Sequence, residues 1–148
     1  MQELLNAGAD VDAPAVRGLR PIQLAVMHNK NPFATKLLID FGADVTVISD
    51  RGQNLFHLAV LGDADSRVME YLLASGLDLN ARSEGGLTPL RLAAEYSTNS
   101  KIVLWLLSNG SKVDVKDSDG RFAVDYARKN ELLQGTDALK ALEAATNK

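Results

Sequence analysis

Apolar positions along this chain return in the same order every 34 residues. Ile22, Phe56, Leu90 and Val124 share one phase of that interval, and Leu24, Leu58, Leu92 and Tyr126 share another. Leu4, Leu38, Leu72 and Leu106 form a third, each followed by a further aliphatic residue: Leu5, Ile39, Leu73 or Leu107. Small residues keep the step as well. Gly8, Gly42, Gly76 and Gly110 recur at it, as do Gly18, Gly52, Gly86 and Gly120, and Ala25, Ala59, Ala93 and Ala127. Agreement at this many phases makes the chain a repeat array.

Within one interval the pattern predicts two short helices and a turn. The first helix runs over roughly 55–62 in the second full unit, with Asn54 as its N-cap and Phe56, Leu58 and Ala59 facing inward. The second helix starts at Asn31, Asp65 and Asn99, all strong cap formers at one phase. Pro32 follows Asn31 at the first helical position, where its missing N–H costs nothing. Val68, Met69, Leu72 and Leu73 then form an apolar stripe. The glycine after them, such as Gly76, is placed to end the helix in the left-handed conformation. An extended stretch, Asp44-Val45-Thr46-Val47, is expected to carry the chain into the next unit. No unit can bury its stripes alone, so the units must stack into one continuous core. The repeated alanine lets neighbouring first helices lie close. The resulting division is a half repeat at 1–13, full repeats at about 14–47, 48–81 and 82–115, and a degenerate capping repeat at 116–148.

"GLTPLRLAAEY" (86–96) followed by "LLSNGSKVDV" (106–115), together with the earlier "FGADVTV" and "LFHLAV", resembles the ankyrin repeat. That family's pattern is Asp-x-x-Gly-x-Thr-Pro-Leu-His-x-Ala-Ala, an amphipathic helix, then Leu-Leu-x-x-Gly-Ala-Asp-Val-Asn. The resemblance covers nearly the whole chain. It implies an all-α ankyrin-repeat solenoid of stacked helix-turn-helix units with β-hairpin turns. The chain also departs from the pattern. Its period is 34 where the family shows 33, and the extra residue falls between the two helices. Only the third unit keeps Thr88-Pro89-Leu90, and only the second keeps the histidine, His57. The resemblance makes that Thr/His pair a source of structural hydrogen bonds, so units one and four are expected to be looser there. Lys112 replaces the aspartate of Asp10, Asp44 and Asp78.

The ends depart from the pattern too. After Asn130 the chain leaves phase, and "TDALKALEAATNK" carries the polar and small residues that a terminal cap requires. Residues 1–6 supply only the tail of a second helix, too short to persist alone. The expectation is a chain cut from a longer precursor, the alternative being a natural start on a half repeat.

Composition narrows the function classes. The chain has 148 residues, 46% of them hydrophobic, enough for a single domain with a substantial core. Net charge is −3 with lysines and arginines scattered, which argues against nucleic-acid and membrane partners. No apolar run approaches the ~20 residues of a bilayer span, and "MQELLNAGAD" has neither the basic nor the apolar region of a signal peptide. Cysteine is absent, which removes disulfides, zinc-thiolate sites and cysteine nucleophiles. Its absence leaves the compartment open: cytoplasmic by default, periplasmic or secreted if a leader has been removed.

Catalytic chemistry is not evident. His28 and His57 lie in different units, so no metal cluster or cofactor is expected. "DSDG" (117–120) lacks the downstream ligands of a calcium loop and reads as a turn. "GDADS" (62–66) reads as a capped turn between helices. No phosphate-binding glycine loop or Gly-x-Ser-x-Gly occurs. "NGS" (109–111) is a formal glycosylation acceptor on a glycine turn. Tyr71 and Trp105 share the phase of Leu37 on the second helix, where packing against a neighbour accounts for them.

The resemblance implies instead that partner proteins are bound by the hairpin tips and the exposed face of the first helices, which together form a concave surface. Carried over by phase, the tips contribute Val16, Arg17, Leu19, Asp50, Arg51, Gln53, Glu84, Leu87 and Arg121. The first helices contribute Met27, His28, Leu61, Glu95 and Tyr96, with Gly62, Lys129 and Asn130 at the same phases. Val16, Leu19, Met27, Leu61, Leu87 and Tyr96 are apolar where water-facing residues are usually polar. Rimmed by Arg17, Asp50, Arg51 and Glu84, they have the character of a protein-binding surface. The alternative is that several lean into the next unit. The function expected is a non-catalytic protein–protein interaction module, monomeric in isolation. The alternative is a stand-alone inhibitor or self-protection protein that occludes a cognate enzyme.

Overall fold

The computed structural model describes residues 2–15, 18–28 and 31–147, and nine α-helices run through them. They are α1 (Gln2–Asn6), α2 (Pro21–His28), α3 (Pro32–Asp40), α4 (Leu55–Leu61), α5 (Ser66–Ala74), α6 (Pro89–Tyr96), α7 (Ser100–Ser108), α8 (Ala123–Ala127) and α9 (Asp137–Thr146). The first helices α2, α4, α6 and α8 form one layer, each packed on the next. The second helices α3, α5, α7 and α9 lie against them as an outer layer. The chain is an all-α repeat solenoid.

Local chemistry sets the helix starts. Asn54 Oδ1 accepts from the backbone of Phe56 and His57, at 3.1 and 3.2 Å. Asn31, Asp65 and Asn99 accept from the N–H two residues on, at 3.0, 2.9 and 3.1 Å, so all three cap as their phase predicts. Gly42, Gly76 and Gly110 follow the outer helices at φ of 83°, 77° and 93°, where a side chain would be strained.

The core lies between the two layers and follows the sequence phases. Ile22, Phe56, Leu90 and Val124 are buried, and the alanine phase (Ala25, Ala59, Ala93, Ala127) lies at the seams between first helices. Leu38, Leu72 and Leu106 are buried too, whereas Leu4 is exposed at 67%. The aliphatic residues that follow them behave differently. Leu5, Ile39 and Leu107 are half-buried and Leu73 is exposed, because a helical step of 100° turns them to the edge of the stripe.

Two expectations about the connections change. The stretch after each glycine is a turn at Val45-Thr46 rather than extended chain. The Asp44 carboxylate accepts from the Thr46 N–H at 2.9 Å and its hydroxyl at 2.6 Å, and Asp10 and Asp78 bind the N–H of Asp12 and Asn80 in the same way. These turns also join units: Asp12 accepts from the Asp44 N–H at 3.2 Å and Asn80 from that of Lys112 at 2.8 Å. The tips close through Ser49 N–H to Gln53 O, Ser83 N–H to Leu87 O and Asp117 N–H to Arg121 O, at 2.9–3.0 Å. No strand occurs among the described residues, so the hairpins expected at the tips are single closed turns without a ladder.

Units one and four are not left open at the histidine phase. Gln23 accepts from the Arg20 N–H and Asp125 from the Phe122 N–H, each at 2.9 Å, in the place where His57 accepts from the Asn54 N–H at 3.2 Å. Three different side chains make one back-bond, so the looseness expected there is compensated. Beyond α8 the last unit is shortened. Asn130 caps a 3-10 turn and Thr136 caps α9, whose Ala138, Leu139 and Leu142 are buried while Asp137, Lys140 and Ala144 face outward.

Candidate functional site

The tips of neighbouring units are tied to one another. Glu84 N–H donates to Arg51 O at 3.0 Å, and Ser118 N–H to Gly85 O at 2.8 Å. These bonds hold the tips of units two, three and four in one row beside the ends of the first helices. Between row and helices the face is hollowed once per unit boundary.

The hollow between units one and two has a volume of about 360 Å³ and includes Leu19, Met27, Ile48, Asp50, Arg51, Gln53 and Leu61 in its lining. That between units two and three is about 480 Å³, with Arg51, Gln53, Leu61, Glu84, Leu87 and Tyr96 among its walls. That between units three and four is about 340 Å³, lined by Glu95, Arg121, Tyr126, Lys129 and Asn130. Leu61, Arg51 and Gln53 belong to the first two, so those hollows form one continuous groove. Of the site residues expected from sequence, Leu19, Met27, Asp50, Arg51, Gln53, Leu61, Glu84, Leu87, Glu95, Tyr96 and Arg121 line these hollows. His28 is exposed at the end of α2 but lines none of these hollows. Val16 and Arg17 lie outside the described residues.

Exposure sorts these residues by role. Tyr96 is 57% exposed and Leu61 43%, unusual for large side chains with an apolar body. Asp50, Arg51, Glu84 and Arg121 are exposed at the rim. Leu19, Met27 and Leu87 are half-buried, and Met27 and Leu87 lean on the core as much as on the groove. Gln53 is buried: its N–H donates to Ser49 Oγ at 3.2 Å, and it shapes the floor. Glu95 is half-buried and paired with Arg91 one turn back on α6. Ile48 escaped the sequence reading although it is 65% exposed in the first hollow. An apolar residue at a phase otherwise held by Pro14, Arg82 and Lys116 was the available signal.

Two buried polar clusters fix the walls. His57 Nδ1 accepts from the Asn54 N–H, so the other ring nitrogen carries the proton and donates to Leu87 O at 2.9 Å. Burial holds the His57 pKa below 6.5 and outweighs the hydrogen bonds that favour its cation. At the far end Asp117 accepts from the Tyr126 hydroxyl at 2.5 Å, from Arg91 Nε at 3.3 Å, and from the N–H groups of Asp119 and Arg121. Burial works to raise the Asp117 carboxyl, but these donors together hold it below 3.8. The Arg91 guanidinium stacks on the Tyr126 ring, 3.8 Å from its centroid.

The motifs with a chemical reading are absorbed by the scaffold. Asp63 accepts from Ser97 and Thr98 of the next unit, at 3.1 and 2.6 Å, and Asp65 caps α5. Asn109 Nδ2 donates to Trp105 O at 2.8 Å while Ser111 is buried. Trp105 is half-buried with its ring 6.3 Å from that of Phe56. Among the described residues no group of three or more His, Asp or Glu side chains could hold a metal ion. No helix among them is long and apolar enough to cross a membrane.

Comparison with known families matches the chain to the ankyrin repeats in three overlapping copies, over residues 1–83, 22–117 and 56–145. Comparison with curated proteins returned no match.

Proposed function

The chain belongs to the ankyrin repeat family, whose members are generally protein-interaction modules, and from that premise we propose that it binds a partner protein along the row of tips and first-helix ends. The observation that carries the proposal is the 480 Å³ hollow with exposed Leu61 and Tyr96 on its wall and the charges of Arg51 and Glu84 at its rim. An apolar centre inside a charged rim is the composition of a protein interface. The groove offers no nucleophile beside a base, so the reading is non-catalytic. With a net charge of −3 and lysines and arginines scattered along the sequence, we read the partner as a protein rather than a nucleic acid or membrane.

Affinity capture with two baits tests this. Tyr96 is the largest exposed side chain of the groove and its only exposed aromatic. Truncating such a centrally placed aromatic costs more than ~1 kcal/mol, about fivefold or more in affinity. Wild type is expected to retain a partner that Tyr96→Ala loses, with both melting alike. Equal capture by the two baits would place the partner elsewhere.

A further inference from the structure

The three hollows differ in what they offer an occupant, and the difference deepens the reading just given, on which it rests. The first two present apolar walls: Leu19, Met27 and Ile48 in one, Leu61, Leu87 and Tyr96 in the other. The third presents Arg121 and Lys129. Neither is ion-paired among the described residues, and the hollow's carboxylate, Glu95, is held by Arg91. Arg121 is placed by the Tyr126 ring, whose centroid is 5.8 Å from its guanidinium carbon. A protein of net charge −3 thus places two cations that make no ion pair among the described residues in a hollow beside an apolar groove. Its natural complement is a carboxylate.

Spacing adds a second constraint. The hollows repeat with the first helices, and packed helices lie about 8–10 Å apart. A β-strand puts side chains on one face about every 6.6 Å, out of register with that repeat. A polyproline II segment turns once in three residues and rises about 3.1 Å per residue, so positions i, i+3 and i+6 line one face about 9 Å apart. We propose that the groove takes an extended partner segment of this kind, with apolar side chains at i and i+3 and Asp or Glu at i+6, read in one chain direction or the other. The apolar pair fills the first two hollows and the carboxylate meets Arg121 and Lys129.

Selection from a displayed library of random twelve-residue peptides tests the inference on the intact protein. Wild type should enrich two apolar positions three apart and an acidic position three beyond. The double variant Arg121→Ser, Lys129→Ser, folded by circular dichroism, should keep the apolar pair and lose the acid. Exchanging the acid for Gln in a synthetic selected peptide should weaken binding about fivefold or more on wild type at low salt, less at high salt, and not on the double variant. Selected peptides without the acid, or acid dependence that survives the double variant, would overturn the inference and leave the groove reading standing. A library yielding no binder would overturn it as well, since a linear occupant is its content. Peptides that bind Tyr96→Ala as well as wild type would count against the groove itself.

Discussion

His57 of the second unit donates a ring N–H to the carbonyl of Leu87 at the tip of the third, 2.9 Å away, while its other nitrogen closes its own helix start. One buried imidazole therefore ties its own helix start to the next unit's tip, and Leu87 is a wall of the 480 Å³ hollow. Acceptance of the Asn54 N–H by the ring requires it neutral.

That requirement makes stability depend on pH. The unfolded chain takes up a proton on this ring near 6.5, whereas the folded pKa is lower. Between the two values the unfolded state binds more protons, so stability is full above 6.5 and declines as pH falls through it. His57→Gln should keep the back-bond, as Gln23 does in unit one, and lose the bond to Leu87, at a cost of about 1 kcal/mol at pH 8. Urea midpoints measured from pH 8 to 5 should fall for wild type more than for the variant. Parallel curves would show that His57 does not carry the dependence.

Gly62, the C-cap of α4, is conserved in no repeat phase: His28, Tyr96 and Asn130 stand at the equivalent positions. Its φ of −86° suits any residue. What it provides is space, since a Cβ there would lie 2.3 Å from the carbonyl oxygen of Met27. Gly62→Ala must push α2 off α4, and over-packing of this kind costs about 1–3 kcal/mol. A thermal midpoint equal to wild type would show that the first unit yields freely.

Asp117 governs the opposite end of the groove. Its folded pKa is depressed below 3.8, so its contribution is present above that value and lost as pH falls through the folded pKa. Asp117→Asn should cost about 2 kcal/mol at pH 7, where the bonds from Tyr126 and Arg91 are charge-assisted. The gap to wild type should narrow below pH 3.8. A gap unchanged in acid would mean that the cost is steric.

Much of this architecture was legible because a repeat writes each burial several times. Phe56, Ala93 and Leu72 could each be assigned by phase, and Asn31, Asp65 and Asn99 announced their helices because capping is a local matter of one side chain and one N–H. What depended on contacts between units was not legible. Gln23 and Asp125 resemble histidine in nothing but an acceptor at the right reach. Gly62 is explained only by the Met27 carbonyl of a different unit. The stretch after Gly42 looked extended because Val45 and Val47 favour strands, yet Asp44 bends it by binding Thr46. The groove residues followed the same division. Leu61 and Tyr96 stood out as apolar at exposed phases, whereas the burial of Gln53 and the pairing of Arg91 with Asp117 are tertiary facts.

The location of the partner is the central claim, and amide hydrogen exchange of the chain with and without the captured partner tests it most directly. Binding along the groove predicts slower exchange in segments 49–53, 83–87 and 117–121 and at the ends of α4 and α6, with α5 and α7 unchanged. Slowing confined to α5 and α7, around Tyr71 and Trp105, with the tips unaffected, would contradict it.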